Sequence, residues 1–248
     1  MNKRMLVVAM ATLGLLFGAA TASAQEAGTQ LMHSGANVRD TASLQRGAKL
    51  FMNYCSGCHS LHFMRYSRIA RDLALTQQEV MDNLDFTGGK FHDPIVSAMP
   101  AAGATQWFGK PPPDLSLMVD EKGADYVYTY LNSFYLDPNS PVGWNNTVLK
   151  NAAMPNVLWE LQGIQTAKMS EAKPGQPAEV EGLTLTRPGR MTPTQFHAAT
   201  RDITAFLEYV SEPAALERHS MAPWVLLYLA AFTFLAWLLK HEYWKDVH

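Results

Sequence analysis

Apolar positions along this chain recur mostly at helical spacing. The clearest case runs from Thr192 to Val210, where Phe196, Ala199, Ile203, Phe206, Leu207 and Val210 fall on one face at intervals of three and four residues. Thr192 caps this helix, Pro193 takes the first helical position, where its missing N–H costs nothing, and Ser211-Glu212-Pro213 ends it. A second helix is expected from Thr41 or Ser43, either of which can cap it, through Leu44, Ala48, Leu50 and Phe51 into the segment around Tyr54. Thr76-Gln77-Gln78-Glu79 is a capping box opening a short helix through Val80 and Leu84. Val127, Tyr128, Leu131, Phe134 and Tyr135 predict another from about Asp125 to Tyr135, and Asp114 can cap a turn or helix beginning at Leu115. Period-two alternation is poor, so the expected fold class is all-α. Three Gly- and Pro-rich stretches, 86 to 114, 136 to 156 and 168 to 191, read as long irregular loops, with Lys173 to Glu181 the most solvated and mobile part.

Two segments have no polar face at all. Met221 to Leu239 (MAPWVLLYLAAFTFLAWLL) carries no charge, and at ~1.5 Å per residue it approaches the ~30 Å of a bilayer core. Trp224, Tyr228, Trp237, Tyr243 and Trp244 lie at or near its ends, where amphipathic rings favour the headgroup layer. The competing reading is a buried helix of a soluble core, which seldom needs an all-round apolar surface with aromatic ends. The other segment is N-terminal. Lys3 and Arg4 precede an apolar stretch from Met5 to Ala20, and Ala22-Ser23-Ala24 forms an A-x-A cleavage site. The expected organisation is therefore a signal peptide over 1–24, an exported body over 25–220, a transmembrane anchor over 221–239 and a cytoplasmic tail over 240–248. Such a body would lie in the periplasm of a bacterial inner-membrane protein. Lys240 and Lys245 after the span agree with that orientation, weakened by Arg218 and His219 before it.

Charge changes the picture little. With Lys3 and Arg4 set aside, 18 basic residues face 22 acidic ones, which argues against a nucleic-acid partner and permits a basic protein partner. The cysteines change it a great deal. The chain has two, Cys55 and Cys58, and His59 follows directly. C-x-x-C-H is the attachment signature of c-type haem, since each thiol can add to a vinyl group and the adjacent imidazole then lies under the iron. Wrapping such a group also gives the long loops a reason. A thioredoxin-like redox pair would want a strand leading into a helix, and half a zinc site would want more thiols or clustered histidines. His62 is nearby but reads as a packed or exposed side chain.

For the second axial position, methionine suits an electron carrier because a thioether raises the reduction potential. Of thirteen methionines, Met99 and Met154 each precede a proline in a predicted loop, which stiffens the backbone around a weak neutral ligand. Met169 and Met191 are further possibilities, whereas Met64, Met81 and Met118 fall in helical patterns and read as core. The chemistry leaves both Met-Pro pairs open. The longer spacing of Met154 would let the chain cover one haem face before crossing to the other.

Several stretches resemble the cytochrome c1 family, the membrane-anchored haem subunit of quinol:cytochrome c reductase: CSGCHSLHFMRYSR (55 to 68), PPDLS (112 to 116), DYVYTYLNSFY (125 to 135), GWNN (143 to 146), MPNVLWELQG (154 to 163) and FLEYVSEP (206 to 213) before the anchor. The resemblance implies a cytochrome c-like domain with one covalent haem c on Cys55 and Cys58. It implies His59 and Met154 as axial ligands and a place for Pro113 beside the ring. It further implies one-electron transfer from an iron–sulfur (Rieske) subunit to a soluble cytochrome c, next to a cytochrome b subunit, with no catalysis by this chain alone. The alternatives are a membrane-tethered cytochrome c of another oxidase or reductase, and a haem peroxidase or gas sensor. One departure stands out. The family commonly has an arginine a few residues after D-L-S that can pair with a haem propionate, and this chain has Val119-Asp120-Glu121-Lys122 there. Lys122, Arg65 and Arg68 are the cations that could compensate.

Overall fold

Helices α1 (Thr41–Tyr54) and α8 (Pro193–Ser211) cross at the centre of the core, and the sequence shows why they can approach so closely. Gly47 faces α8 at the crossing; a Cβ built on it would lie 2.0 Å from the carbonyl oxygen of Asp202 and 2.7 Å from the Cβ of Phe206. One turn further on, Phe51 and Phe206 meet with ring centroids 5.8 Å apart. Beside the contact, the Asp202 carboxylate accepts from Ser43 Oγ at 2.5 Å and takes the Arg46 guanidinium by two bonds of 2.6 and 3.0 Å. This computed structural model describes residues 30–171 and 179–245. The predicted signal peptide and the last three residues of the predicted tail lie outside them.

Around the crossing, chain order gives β1 (Leu61–Arg65), α2 (Tyr66–Asp72), α3 (Gln77–Leu84), β2 (Pro94–Ile95), α4 (Ala101–Phe108), α5 (Met118–Lys122), α6 (Ala124–Asn132), β3 (Phe134–Leu136), β4 (Trp144–Asn146), α7 (Trp159–Gln162), β5 (Gly163–Met169) and β6 (Val180–Pro188) before α8. Capping boxes start α3 at Thr76 and α8 at Thr192, where sequence chemistry puts them. Other ends differ from expectation. Asp40, rather than Thr41 or Ser43, caps α1 by accepting from the Ser43 N–H. Of the turn or helix expected after Asp114, the structure has the turn: its carboxylate receives the N–H groups of Ser116 and His62, and α5 begins only at Met118. The helix expected to reach Tyr135 stops at Asn132, because Phe134 to Leu136 pair with Trp144 to Asn146.

The fold is mostly helical, and the described residues hold three two-stranded antiparallel ribbons that the alternation pattern does not predict. The longest pairs β5 with β6, Gly163 opposite Pro188 through to Met169 opposite Val180, and β6 with the end of β5 falls inside the stretch 168 to 191 read as an irregular loop. Much of the predicted mobile segment lies outside the described residues, and Val180 and Glu181 already belong to β6. The stretch from 86 to 114 likewise contains β2 and α4.

An ion cluster around the Asp72 carboxylate ties α2 to α8. The Asp72 carboxylate accepts from Arg68 Nε at 2.6 Å, Arg71 Nε at 2.9 Å and the Tyr209 hydroxyl at 3.0 Å. Burial pushes the Asp72 pKa up, but the bonds from Arg68, Arg71 and Tyr209 outweigh it and hold the group below the ordinary carboxylate range. A depressed folded pKa means that the stabilisation is complete above the unfolded value of ~3.9 and is lost as pH falls through the folded value. Asp72→Asn is expected to cost about 1–3 kcal/mol at neutral pH and to flatten the acid limb of stability below about pH 4. Thermal unfolding measured against pH checks this, and identical acid limbs in the two proteins would count against it.

After α8, a three-residue joint leads into α9 (Ala215–Tyr243). Ala215 is buried and Leu216 packs on the core, but from Ser220 to Tyr243 the helix has a mean hydropathy of 1.9 and none of that apolar stretch is covered by the rest of the protein. A core helix would be covered, so the reading that survives is a span of 24 residues, roughly 36 Å long. It continues into the residues predicted as tail, with Trp244 as its C-cap.

Candidate functional site

The C-x-x-C-H motif closes a helix rather than opening one. Cys55 caps α1, with its N–H on the Phe51 carbonyl at 2.8 Å, and the chain then turns tightly so that the N–H groups of Cys58 and His59 both reach the Cys55 carbonyl, at 3.0 and 2.8 Å. This turn gathers both sulfurs and the imidazole at one helix end. The two thiols are free, and burial, followed by the neighbouring Cys58, pushes the Cys55 thiol up to about 12. A thioredoxin-like pair needs an accessible thiolate at a helix start, which this is not. Among the described residues no group of three or more His, Cys, Asp or Glu side chains comes together as a metal cage.

His59 is 8% exposed, and its Nδ1 lies 2.8 Å from the backbone carbonyl of Pro113. A carbonyl only accepts, so Nδ1 carries the proton and the lone pair is on Nε2, which has no hydrogen-bond partner among the described residues. Burial lowers the His59 pKa against the opposing bond to Pro113 and the field of Asp114, leaving the ring neutral at pH 7. A neutral imidazole with its outer nitrogen tied to a carbonyl is the form that ligates iron, and the bond fixes its orientation. The donor set thus fits a c-type haem.

Two loops are bonded to the motif. The PPDLS segment is fastened by Leu115 N–H to the Ser60 carbonyl at 3.0 Å and by Phe63 N–H to Ser116 Oγ at 3.1 Å. Asp114 also accepts from His62 Nδ1 at 2.7 Å, which gives that histidine a structural occupation. The second loop precedes α4. Ser97 donates from its hydroxyl to the Gly57 carbonyl at 2.8 Å and from its N–H to Ser60 Oγ at 2.9 Å, while Met99 N–H donates to Ser97 Oγ at 3.1 Å. Met99 is therefore held two residues from a direct attachment to the motif. Sequence reasoning missed Ser97, since an isolated serine carries no signal of this role, and singled out Ser116 only as part of PPDLS.

Met154 lies in a different loop, before α7, half-buried between the buried Ala152 and Asn156. Of the other methionines, Met64 is fully buried, in β1 rather than in a helix, with its sulfur 3.9 Å from the Tyr209 hydroxyl. Met81, Met118 and Met191 pack against the core, and Met169 is half exposed on β5. The three cations near the missing arginine are not equally free: Arg68 is committed to Asp72, Arg65 donates to the His92 carbonyl, and Lys122 is exposed beside Glu121 at 3.4 Å.

Such an arrangement is what a c-type cytochrome on a single tether requires. The chain belongs to the cytochrome c1 family, whose model matches residues 33–247. It is 46% identical to "Cytochrome c1" of Allochromatium vinosum, over 94% of this chain and 96% of that one. It is 40% identical to the "Ammonia monooxygenase gamma subunit" of Nitrosomonas europaea, over 84% of this chain and 85% of that one. With the mitochondrial "Cytochrome c1, heme protein" of Saccharomyces cerevisiae it shares 25% identity over 84% of this chain and 68% of the other. A solved structure titled "Hyperthermophilic respiratory Complex III" superposes over 99% of this chain and 98% of that one with a TM-score of 0.47 at 17% identity, too loosely to bear on function. Family membership makes this a haem protein of electron transport, with one C-terminal helix suited to a membrane span.

Proposed function

We propose that the chain is the haem subunit of a quinol:cytochrome c reductase, taking single electrons from a Rieske iron–sulfur subunit and passing them to a soluble cytochrome c, with a cytochrome b subunit beside its anchor. The observation that carries this reading is the His59 imidazole, buried, neutral and locked by the Pro113 carbonyl with Nε2 free. Cys55 and Cys58 would hold one haem c, each S–H adding across a vinyl double bond so that sulfur and hydrogen end on adjacent carbons. Bound there, the haem supplies a one-electron iron(III)/iron(II) couple. His59 would ligate one face and Met154 the other; with both positions filled by protein, no substrate reaches the iron and the site carries electrons without doing other chemistry. The resemblance of MPNVLWELQG to the family's segment after GWNN supports giving the second face to Met154.

The body would lie in the periplasm of the bacterial inner membrane, with residues 240–248 on the cytoplasmic side. The leader-like start and the lysines after the span support that placement. Tethering then raises the effective concentration of the carrier for its donor. Detergent extraction and identification of what travels with the haem tests the assignment. Recovery of a cytochrome b and an iron–sulfur subunit is the expected result. Recovery of monooxygenase subunits, the assembly named for the Nitrosomonas relative, or of a terminal oxidase would overturn it.

A further inference from the structure

A chain of buried amides runs from the Met154 loop to α8 and has no part in the mechanism above. The Asn156 side chain accepts from the Leu158 N–H at 3.0 Å and donates to Gln162 Oε1 at 2.8 Å. Gln162 Nε2 donates to the Asn132 carbonyl at 3.3 Å, and Asn132 Nδ2 donates to Thr200 Oγ1 on α8 at 3.0 Å. Asn156, Gln162, Asn132 and Thr200 are 2%, 7%, 6% and 0% exposed. Burying three amides and a hydroxyl adds little net stability over apolar side chains of the same shape, because each bond made replaces one to water. What directional bonds add is position. They refer the loop to the long helix at the centre of the core, two residues from the methionine. Pro155 lies between, with its φ fixed by the ring, so little slack separates Met154 from Asn156.

A thioether is a weak neutral ligand and stays on iron only if its loop is presented within a few tenths of an ångström of the right place. We propose that Asn156 is a positioning residue for the Met154 sulfur, transmitting the place of α8 through Asn132 and Gln162 to the loop that carries the second axial ligand. The inference rests on Met154 being that ligand.

The test uses the full-length, haem-loaded protein in detergent, with Asn156→Ala, and with Asn156→Ser, whose hydroxyl keeps the turn onto Leu158 but cannot reach Gln162. Three quantities are read: the far-red methionine-to-iron charge-transfer absorption against temperature, the rate of carbon monoxide binding to the reduced protein, and the loss of helical circular dichroism. Removing one or two hydrogen bonds that close the loop should raise the open population, and with it the carbon monoxide rate, about tenfold. The absorption should melt well before the helices do, in both variants. An unchanged carbon monoxide rate and absorption alongside earlier helix melting would show a purely structural network and overturn the proposal. Should Asn156→Ala fail to accumulate, Asn156→Ser decides by the same criteria. Met154→Leu run in parallel separates the two levels: if it keeps the absorption, Met154 is not the ligand and the proposal falls with that reading; if it loses the absorption while the Asn156 variants match wild type, only the positioning role is wrong.

Discussion

In Met154→Leu the far-red charge-transfer absorption is expected to vanish and the reduction potential to fall by a sizeable part of the ~0.8 V over which axial ligands move haem potentials. Leucine fills the space of methionine but offers no lone pair, so the loop would keep its packing while the iron would lose the ligand proposed for its second face. The vacated position should admit carbon monoxide readily, which the parent protein should not. Met99→Leu is the control and is expected to leave potential and absorption nearly unchanged. Its loop is bonded through Ser97 to Gly57 and Ser60, within the histidine's own motif. Reversal of the two results would transfer the ligand to Met99. Rapid carbon monoxide binding by the unmodified protein would instead favour a haem sensor or peroxidase, whose iron must be open.

Gly47→Ala should be severe, against the direction that helix propensity gives. In an exposed helix the exchange gains about 1 kcal/mol. Here the new methyl would meet the Asp202 carbonyl oxygen at 2.0 Å and carbon at 2.7 Å, and backbone of a packed helix does not step aside as a flexible side chain can. The α1–α8 crossing has to open, which costs about 3 kcal/mol or more, and for a body of this size that is roughly a 10 °C fall in melting temperature. Because α1 ends in Cys55, the same displacement moves both thiols and His59, so haem-loaded protein should accumulate poorly. Gly182→Ala, in β6 with nothing within 4 Å of the added carbon, is the matched control. A Gly47 variant as stable as the Gly182 one would refute the close crossing.

The features that sequence reasoning reached are those with a local cause. Capping boxes at Thr76 and Thr192 act within four residues, and an apolar stripe such as Phe196 to Val210 declares a helix whatever it packs against. Spacing alone exposed the haem motif. What escaped depends on partners distant in the chain. Phe134 has a helical interval from Leu131, yet pairing with Asn146 takes it into a strand. The Leu183-Thr184-Leu185-Thr186 alternation was a strand signal, obscured by the prolines and glycines around it. At the site, the motif gave His59, but its tautomer is set by a carbonyl fifty-four residues away. Local chemistry at Asp114 points to a turn or helix cap, and the turn is what forms. Asn156 and Gln162 read as ordinary polar residues until burial showed what they hold.

α9 packs on the body through Ala215 and Leu216, Arg218 pairs with Glu212, and the bare stretch begins at Ser220. The core side chains of the described residues lie at or upstream of Leu216, so lipid and fold are answerable to separate parts of one polypeptide. The haem-bearing body is in this sense a demountable cartridge: its melting behaviour should be that of a soluble protein, and lineages can rewrite the span for a thicker or thinner bilayer without refitting a single core residue.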